Sequence, residues 1–308
     1  MGRTAHKGKT VSLVLGSGGA RGLAHIGVIE CLVSHGYEIR SIAGSSMGAL
    51  IGGIYAAGQL DAYTKWVTAL SKTDVFRLLD LSFGWGGLIK GERLINKLRH
   101  LIGERNIEDL SISFTAVATD VEHEKEVWFS KGPLFDAIRA SIAIPMVFTP
   151  FEIDGVRLVD GGVINPVPIA PTLHDRTDLT IAVNVNGAST EDVAVDLAAT
   201  STKETGEDAE DAGYRKRINA FISELTDSLK SPTPETWGMF DVMARSLDTM
   251  QNTIARLKLA AYNPDLTISI SRDAASLFEF YRARELIDLG RKRAERLIAA
   301  RSRVDPEQ

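Results

Sequence analysis

The feature that most constrains the fold is a pair of strand, glycine turn and helix units within the first sixty residues. The first unit has an apolar run over 11–15, a glycine-rich turn, and apolar residues at helical spacing up to Gly36. The second has an apolar run over 39–43, a turn over 44–48 and a small-residue helix that stops near Gly58. Short apolar runs without alternation are typical of parallel strands buried on both faces. Two such units predict an α/β fold in which helices cover a mostly parallel sheet.

Later segments add strands and helices to this fold. Alternating apolar residues predict a strand pair over 113–130 and a hairpin around Asp154-Gly155, and an apolar run over 179–185 predicts another core strand. Residues 189–211 contain eight acidic residues and one lysine, a composition typical of a solvated or disordered segment. An amphipathic helix follows, for which we expect core packing, with a membrane or dimer face as the alternative. Its apolar residues are Trp237, Phe240, Met243, Leu247, Met250, Ile254 and Leu257.

Composition excludes several classes of protein. A chain of 308 residues with 44% hydrophobic residues can bury a full core, and a net charge of -5 does not favour nucleic acid as a partner. The single cysteine, Cys31, allows no internal disulfide and no cysteine-based metal site, so we expect it to pack in the core. No secretory signal precedes the first strand, and no apolar run reaches the roughly 20 residues of a membrane span. We therefore expect a soluble protein of the cytoplasm.

The strongest chemical signal is the motif Gly44-Ser45-Ser46-Met47-Gly48 between a predicted strand and a predicted helix. A serine on so sharp a turn adopts a strained backbone, and glycines at Gly44 and Gly48 remove side chains that would collide with neighbouring elements. The helix start behind the serine favours negative charge on an attacked carbonyl oxygen. The motif therefore predicts Ser46 as a nucleophile, although a glycine-rich helix start alone has the same appearance.

A serine nucleophile needs a base, and the sequence offers two kinds. His174 follows an acidic residue in the order found in α/β-hydrolases, but there the serine comes after several strands, whereas one strand precedes Ser46 here. The carboxylate alternative is Asp160, which ends an apolar strand and precedes Gly161 and Gly162. These glycines permit a sharp turn and the close approach of another segment, although an Asp-Gly pair more commonly ends a hairpin.

A glycine-rich loop, Gly16-Ser17-Gly18-Gly19-Ala20-Arg21-Gly22, follows the first strand. Its third glycine falls one position late for a dinucleotide fingerprint, and it lacks the Gly-Lys-Ser/Thr of a phosphate-binding P-loop. Backbone amides in such a loop also suit an oxyanion. We therefore predict an oxyanion hole that serves Ser46, with Arg21 anchoring the turn or an anionic group of the substrate.

These motifs together resemble the patatin-like phospholipase family, in particular its bacterial members similar to the catalytic domain of neuropathy target esterase. The resemblance lies in VSLVLGSGGARGLAHIGV (11–28), AGSSMGA (43–49), RASIAIP (139–145) and VDGG (159–162). It implies a three-layer α/β/α sandwich, a catalytic dyad of Ser46 and Asp160, and an oxyanion hole of the backbone at Gly18, Gly19, Ala20 and Arg21. Ser17 departs from the pattern, because many members of the family have glycine there.

The resemblance also implies an organisation and a substrate. We expect a basic N-terminal extension (1–10), a patatin-like catalytic domain (11–187), an acidic excursion (188–212) and a helical C-terminal part (213–308) packed on the catalytic domain. The expected reaction is hydrolysis of phospholipid or lysophospholipid esters through an acyl-enzyme, with no metal and no cofactor. A lipid substrate leaves peripheral association with a membrane surface open, and the oligomeric state stays unknown. The alternatives are a thioesterase or general carboxylesterase, and a non-catalytic regulator that binds phosphate.

Overall fold

The computed structural model describes residues 8–78, 89–188 and 238–304. The strands of these ranges are β1 (Thr10–Leu15), β2 (Glu38–Ser45), β3 (Ser113–Asp120), β4 (Lys125–Phe129), β5 (Phe151–Ile153), β6 (Val156–Asp160), β7 (Leu179–Gly187) and β8 (Leu266–Ser271). The helices are α1 (Ala24–Ser34), α2 (Met47–Ala56), α3 (Leu60–Val67), α4 (Lys72–Leu78), α5 (Glu92–Ile102), α6 (Leu134–Ser141), α7 (Met239–Tyr262) and α8 (Ala283–Val304).

The described strands form one sheet in the order β5-β6-β3-β2-β1-β7-β8, with β4 paired to β3. The five strands from β3 to β8 in this order are parallel to one another, whereas β4, β5 and β6 are antiparallel to their neighbours. The two early strand and helix units, the strand pair over 113–130 and the hairpin at Asp154-Gly155 are all present. The predicted α/β class with a mostly parallel sheet is therefore confirmed.

Alternation along the central strands gives the sheet two buried faces. Leu13 and Leu15 of β1 belong to a large core with α1, α2 and α8, whereas Val14 between them packs with Ala182 and with Ala255 of α7. Successive side chains of a strand point to opposite faces, so helices cover both sides. This arrangement is the three-layer sandwich that the resemblance implied.

Strands β2 and β6 lie end to end along one edge of β3. Strand β2 pairs with β3 as far as Ser45 and Val117, and β6 takes over at the next position, where Asp160 pairs with Ala118. Strand β4 pairs with both stretches of β3 and so occupies its other edge. The ends of β2 and β6 therefore meet, although they are far apart in the sequence.

The C-terminal part differs from the helical segment expected from the sequence, because it adds strand β8 to the sheet beside β7. Helix α8 packs closely on α1, and a side chain at Gly27 or Gly290 would overlap the backbone of the facing helix. The acidic segment 189–211 and Trp237 lie outside the described residues.

Helix α7 is less buried than its amphipathic pattern predicts. Leu247 and Ile254 are half-buried, but Met243, Met250 and Leu257 are 52%, 54% and 64% exposed. The prediction of core packing is therefore wrong for these three side chains, because Ala255 and its neighbours near the end of the helix make the contact with the sheet. Among the described helices, none combines the length and apolar character needed to cross a bilayer.

Candidate active site

Ser46 lies at the sharp turn between β2 and α2. Its backbone has a positive φ of 54° with a ψ of -122°, a strained combination for a residue with a side chain, and only 2% of its surface is exposed. A side chain at Gly48 would overlap the Leu15 carbonyl, and one at Gly44 would overlap the backbone of Gly48. The two motif glycines therefore let the turn press against β1 and the start of α2, which keeps Ser46 in its strained conformation.

Ser141, at the end of α6, holds this turn against β3. Its hydroxyl donates to the Val117 carbonyl at 2.6 Å and accepts from the Ser46 amide at 2.9 Å. One buried side chain thus joins the serine turn to the strand that also carries β6. Ser141 lies in the RASIAIP motif, but the motif alone indicates no function for it, because a lone serine in a helical pattern does not show which distant amide it binds.

Asp160 is held at the end of β6 by its own backbone. Its amide donates to the Ala143 carbonyl at 2.9 Å, and its carbonyl accepts from the Thr119 hydroxyl at 3.0 Å. The Gly162 amide donates to Asp160 Oδ1 at 2.7 Å. Glycine is required at the next two positions, because a side chain at Gly161 would overlap the Val117 carbonyl and one at Gly162 would overlap the Ser17 side chain and crowd Asp160 Oδ1.

The Asp160 carboxyl group is an unusually weak acid. Burial raises its pKa from 3.8 to about 7, and hydrogen bonding from the Ser46 side chain and from the Gly162 amide opposes this rise. Asp160 Oδ2 is buried and lacks a well-aligned hydrogen bond among the described residues. Ser46 therefore lies at the carboxylate without ideal alignment, a common geometry before a substrate is bound. A carboxylate with a pKa near neutrality is suited to accept a proton.

A second network fixes the turn that follows Asp160. The backbone N–H of Asn165 donates to the Gly161 carbonyl at 2.8 Å, and its side-chain Nδ2 donates to Glu126 Oε2 at 2.8 Å. Lys258 of α7 donates to Glu126 Oε1 at 2.6 Å. Burial alone would raise the pKa of Glu126, but bonds from Lys258, Trp128 and Asn165 lower it. Helix α7 is thereby joined to the Asp160 turn.

Among the described residues, the histidines do not offer a comparable base. His25 is fully buried, where burial lowers its pKa to about 4, and its Nε2 bonds the Gly16 carbonyl at 2.8 Å. A neutral His25 therefore donates to Gly16 and supports the glycine-rich loop. His174 is exposed on the segment before β7. No histidine of the described ranges lines the cavity that contains Ser46.

The glycine-rich loop forms a short 3-10 helix, Gly19–Leu23, beside the serine turn. Three amides of the loop are occupied, because Gly16 donates to Val183, Ser17 to Pro166 and Ala20 to Leu277. The hydrogen bonds of the described residues include no acceptor for the Gly18 and Gly19 amides. Of the four expected oxyanion donors, Ala20 therefore has its amide bound to the Leu277 carbonyl.

Arg21 lies in the same loop, and its side chain is bound to the protein. Its guanidinium donates to the carbonyls of Arg272 and Ala275 at 3.1 and 3.0 Å and to Asn186 Oδ1 at 2.7 Å. Of the two functions considered for Arg21, anchoring the turn agrees with these contacts. A side chain at Gly22 would overlap Met47, so the loop and the start of α2 are in close contact.

An apolar cavity opens beside Ser46. It encloses about 770 Å³ up to and including its mouth, and Ser46 and Gly19 both contribute to its wall. The rest of the wall is almost entirely aliphatic and aromatic, from α2 to α5 and from the segments after α6 and β8. These residues are Met47, Leu50, Tyr63, Trp66, Val67, Leu70, Val75, Leu78, Leu94, Ile142, Ile144, Phe148, Leu277, Phe278 and Phe280.

From the sequence, the segment 83–89 is a candidate for an acyl-chain entrance and Met146, Phe148 and Phe151 are candidates for the pocket wall, with ordinary core packing as the alternative. Phe148 lines the cavity, whereas Met146 and Phe151 do not. Ile89 is buried beside the cavity wall and pairs with the segment at Phe148. Phe83, Trp85 and Leu88 lie outside the described residues.

The described side chains also contain no cluster of three or more His, Cys, Asp or Glu suited to a metal ion.

The fold is that of the patatin-like phospholipases. The family model for patatin-like phospholipase matches residues 13–173, just over half of the chain, and the chain belongs to this family. The match contains the glycine-rich loop, Ser46 and Asp160.

Particular relatives place the chain within the family. An uncharacterized NTE family protein of Mycobacterium tuberculosis is 38% identical over 94% of this chain and 91% of its own length. Human patatin-like phospholipase domain-containing protein 6 is 33% identical over 57% of this chain and 13% of its own length. Lysophospholipase NTE1 of Scheffersomyces stipitis is 29% identical over 58% of this chain and 12% of its own length.

Proposed function

We propose that this protein is a serine hydrolase of lipid esters in which Ser46 is the nucleophile and Asp160 is its base. One observation carries the proposal. Ser46, on a strained turn, lies next to the buried Asp160 carboxylate, whose pKa is about 7, and Ser46 also lines an apolar cavity. Burial raises the pKa of the Asp160 carboxyl group to near neutrality, where a base is most effective at neutral pH. Family membership supports the same class of reaction.

The mechanism has two steps. Asp160 accepts the proton of the Ser46 hydroxyl as Ser46 Oγ attacks the ester carbonyl, and the amides of Gly18 and Gly19 stabilise the oxyanion. The carbonyl–alkoxy bond then breaks, and Asp160 returns the proton to the leaving alcohol. In the second step Asp160 takes a proton from water, whose oxygen attacks the acyl-enzyme. The fatty acid then leaves and Ser46 regains its proton.

The cavity argues for a long acyl chain. Its wall is apolar apart from the site itself, and each methylene transferred from water to such a wall contributes about 0.8 kcal/mol. We propose a phospholipid or lysophospholipid as substrate, in accord with the name lysophospholipase carried by one relative. A thioesterase or general carboxylesterase would use the same groups. A regulator that binds phosphate is less consistent with the loop, because Arg21 is already bound to the protein.

Covalent labelling by a fluorophosphonate tests the proposal directly. We expect the probe to be found on the peptide that contains Ser46, and labelling to be lost in both Ser46→Ala and Asp160→Asn. Ser34→Ala, an exposed serine at the end of α1, is the matched control and should label like the wild type. A label on another residue, or full labelling of Asp160→Asn, would contradict the dyad.

A substrate panel separates the esterase alternatives. We expect kcat/KM to be higher for lysophosphatidylcholine with a long acyl chain than for a short p-nitrophenyl ester, because only the long chain fills the cavity. A higher value for long-chain acyl-CoA than for both esters would instead identify a thioesterase.

A further inference from the structure

Asn186, near the end of β7, connects the glycine-rich loop to Arg21. Arg21 donates to Asn186 Oδ1 at 2.7 Å, and Asn186 Nδ2 donates to the Ser17 carbonyl at 2.7 Å. The Asn186 amide in turn donates to Asn184 Oδ1 at 3.0 Å, which fixes the backbone of Asn186. We call this chain of Arg21, Asn186 and the Ser17 carbonyl the loop clamp.

The orientation of the Asn186 side chain is determined by its neighbours. A guanidinium only donates hydrogen bonds, so the atom of Asn186 that faces Arg21 must be the carbonyl oxygen. The amide nitrogen then faces the Ser17 carbonyl, which only accepts. Arg21 is itself fixed by the carbonyls of Arg272 and Ala275, so the clamp is anchored to the segment that follows β8.

The clamp sets the direction of the Gly18 amide. In a planar trans peptide the C=O and the following N–H point in opposite directions, so a Ser17 carbonyl held toward Asn186 turns the Gly18 N–H away from it. Asn186 belongs to β7, and the sheet order is β2-β1-β7. The loop follows β1, the middle strand, so a Gly18 N–H that is turned away from β7 lies on the β2 side of the loop, the side on which Ser46 lies.

We propose that Asn186 is a positioning residue for the reaction, because it holds the Ser17–Gly18 peptide in the orientation that offers the Gly18 amide to the oxyanion. The proposal rests on the proposed function. Asn186 does not touch the reacting atoms, and the sequence motifs of the loop end at Gly22, well before β7. It acts through one peptide plane, so its loss should weaken binding of the transition state more than binding of the substrate.

Asn186→Asp separates this role from a structural one. The carboxylate still accepts from Arg21, so the anchor of the loop is kept and the melting temperature should not fall. It cannot donate to the Ser17 carbonyl, however, and it attracts the Gly18 N–H, which favours the reversed peptide. Loss of one oxyanion donor lowers kcat by about 10² to 10³, and we expect a fall of about 10² with KM little changed. Asn96→Asp, the same change at an exposed position of α5, is the control.

An inhibitor pair supplies the decisive measurement. An alkyl trifluoromethyl ketone forms a tetrahedral oxyanion with Ser46, whereas the alcohol of the same chain length fills the cavity without one. We expect Asn186→Asp to lose about 10²-fold in affinity for the ketone and none for the alcohol. Equal losses for both, or no loss for either, would overturn the proposal.

Two further results separate a failure of the inference on Asn186 from a failure of the proposed function. If Asn186→Asp does not fold, Asn186→Ala decides by the same comparison of ketone with alcohol. Wild-type protein whose Ser46 is not labelled by the fluorophosphonate would overturn the proposed function and this inference with it. Wild-type labelling together with unchanged ketone affinity in the variant would overturn only the function of Asn186.

Discussion

Replacing Asp160 with asparagine should stabilise the protein while it abolishes hydrolysis. Burial raises the pKa of this carboxyl group from 3.8 to about 7, so the folded state binds its proton more tightly than the unfolded state does. The difference between these two pKa values changes the free energy of unfolding by about 4 kcal/mol. This contribution to stability is fully present below a pH of about 4 and is lost as the pH rises from about 4 through about 7. Asparagine never ionises and avoids the loss.

The same acidity fixes the pH dependence of the reaction. Only ionised Asp160 accepts a proton, so kcat/KM of the wild type should be level above a pH of about 7 and fall about tenfold per pH unit below it. At pH 5 about one hundredth of the carboxyl groups are ionised. A soluble p-nitrophenyl ester, measured between pH 5 and 9, provides the profile.

Thermal unfolding of both proteins over the same pH range completes the test. The advantage in melting temperature of Asp160→Asn over the wild type should grow between pH 4 and 7 and then remain constant, up to an advantage of about 4 kcal/mol in the free energy of unfolding. Asp61→Asn, an exposed aspartate of α3, is the matched control and should give no such growing difference. A wild-type midpoint near pH 4 in kcat/KM, or a variant less stable than the wild type at pH 8, would refute the reasoning.

Three other substitutions test the surroundings of the site. Ser141→Ala removes the bonds to the Ser46 amide and to β3, and should lower the free energy of unfolding by about 2 kcal/mol and slow labelling of Ser46; wild-type labelling would contradict its function at the turn. Val75→Phe fills part of the cavity and should lower kcat/KM for a long-chain ester about tenfold relative to a butyrate ester, whereas an unchanged ratio would exclude the cavity as the acyl site. Lys258→Met removes the ion pair with Glu126 and should cost about 1 kcal/mol by urea unfolding at pH 7, and progressively less as the pH is lowered through the depressed pKa of the Glu126 carboxyl group; a cost that does not fall with pH would contradict this.

Local patterns were sufficient to predict the elements that position the site. Short apolar runs, glycine turns and helical spacing predicted β1, α1, β2 and α2, and the same pattern located Ser46 on its turn. Strand β8 was not predicted, because six residues between two long helices give a weak periodic signal and gain their place only by pairing with β7. The exposed face of α7 was also mispredicted, since amphipathic spacing does not specify how much of a helix has a partner.

Long-range contacts could not be predicted from these patterns. Ser141 and Asn186 hold backbone groups that lie far away in the sequence, so no local spacing connects them to the site. The occupied amide of Ala20 is similar, because its acceptor, Leu277, follows β8. Asp160 was a candidate because it ends an apolar strand before two glycines and lies in the VDGG motif of the family resemblance. Its high affinity for a proton results from burial, a property of the assembled sheet.

Because β2 and β6 lie end to end along β3, their pairing with β3 sets the distance between Ser46 and Asp160. The two strands are not bonded to each other, so the separation of Ser46 and Asp160 is counted in residues of β3, at about 3.3 Å each. A slip of β6 by one residue would also turn Asp160 to the opposite face of the sheet. During synthesis the serine emerges long before its base, and it gains that base only when β6 docks in register. We therefore expect an unfinished chain to carry an inert serine, so that hydrolytic capacity arises together with the completed sheet.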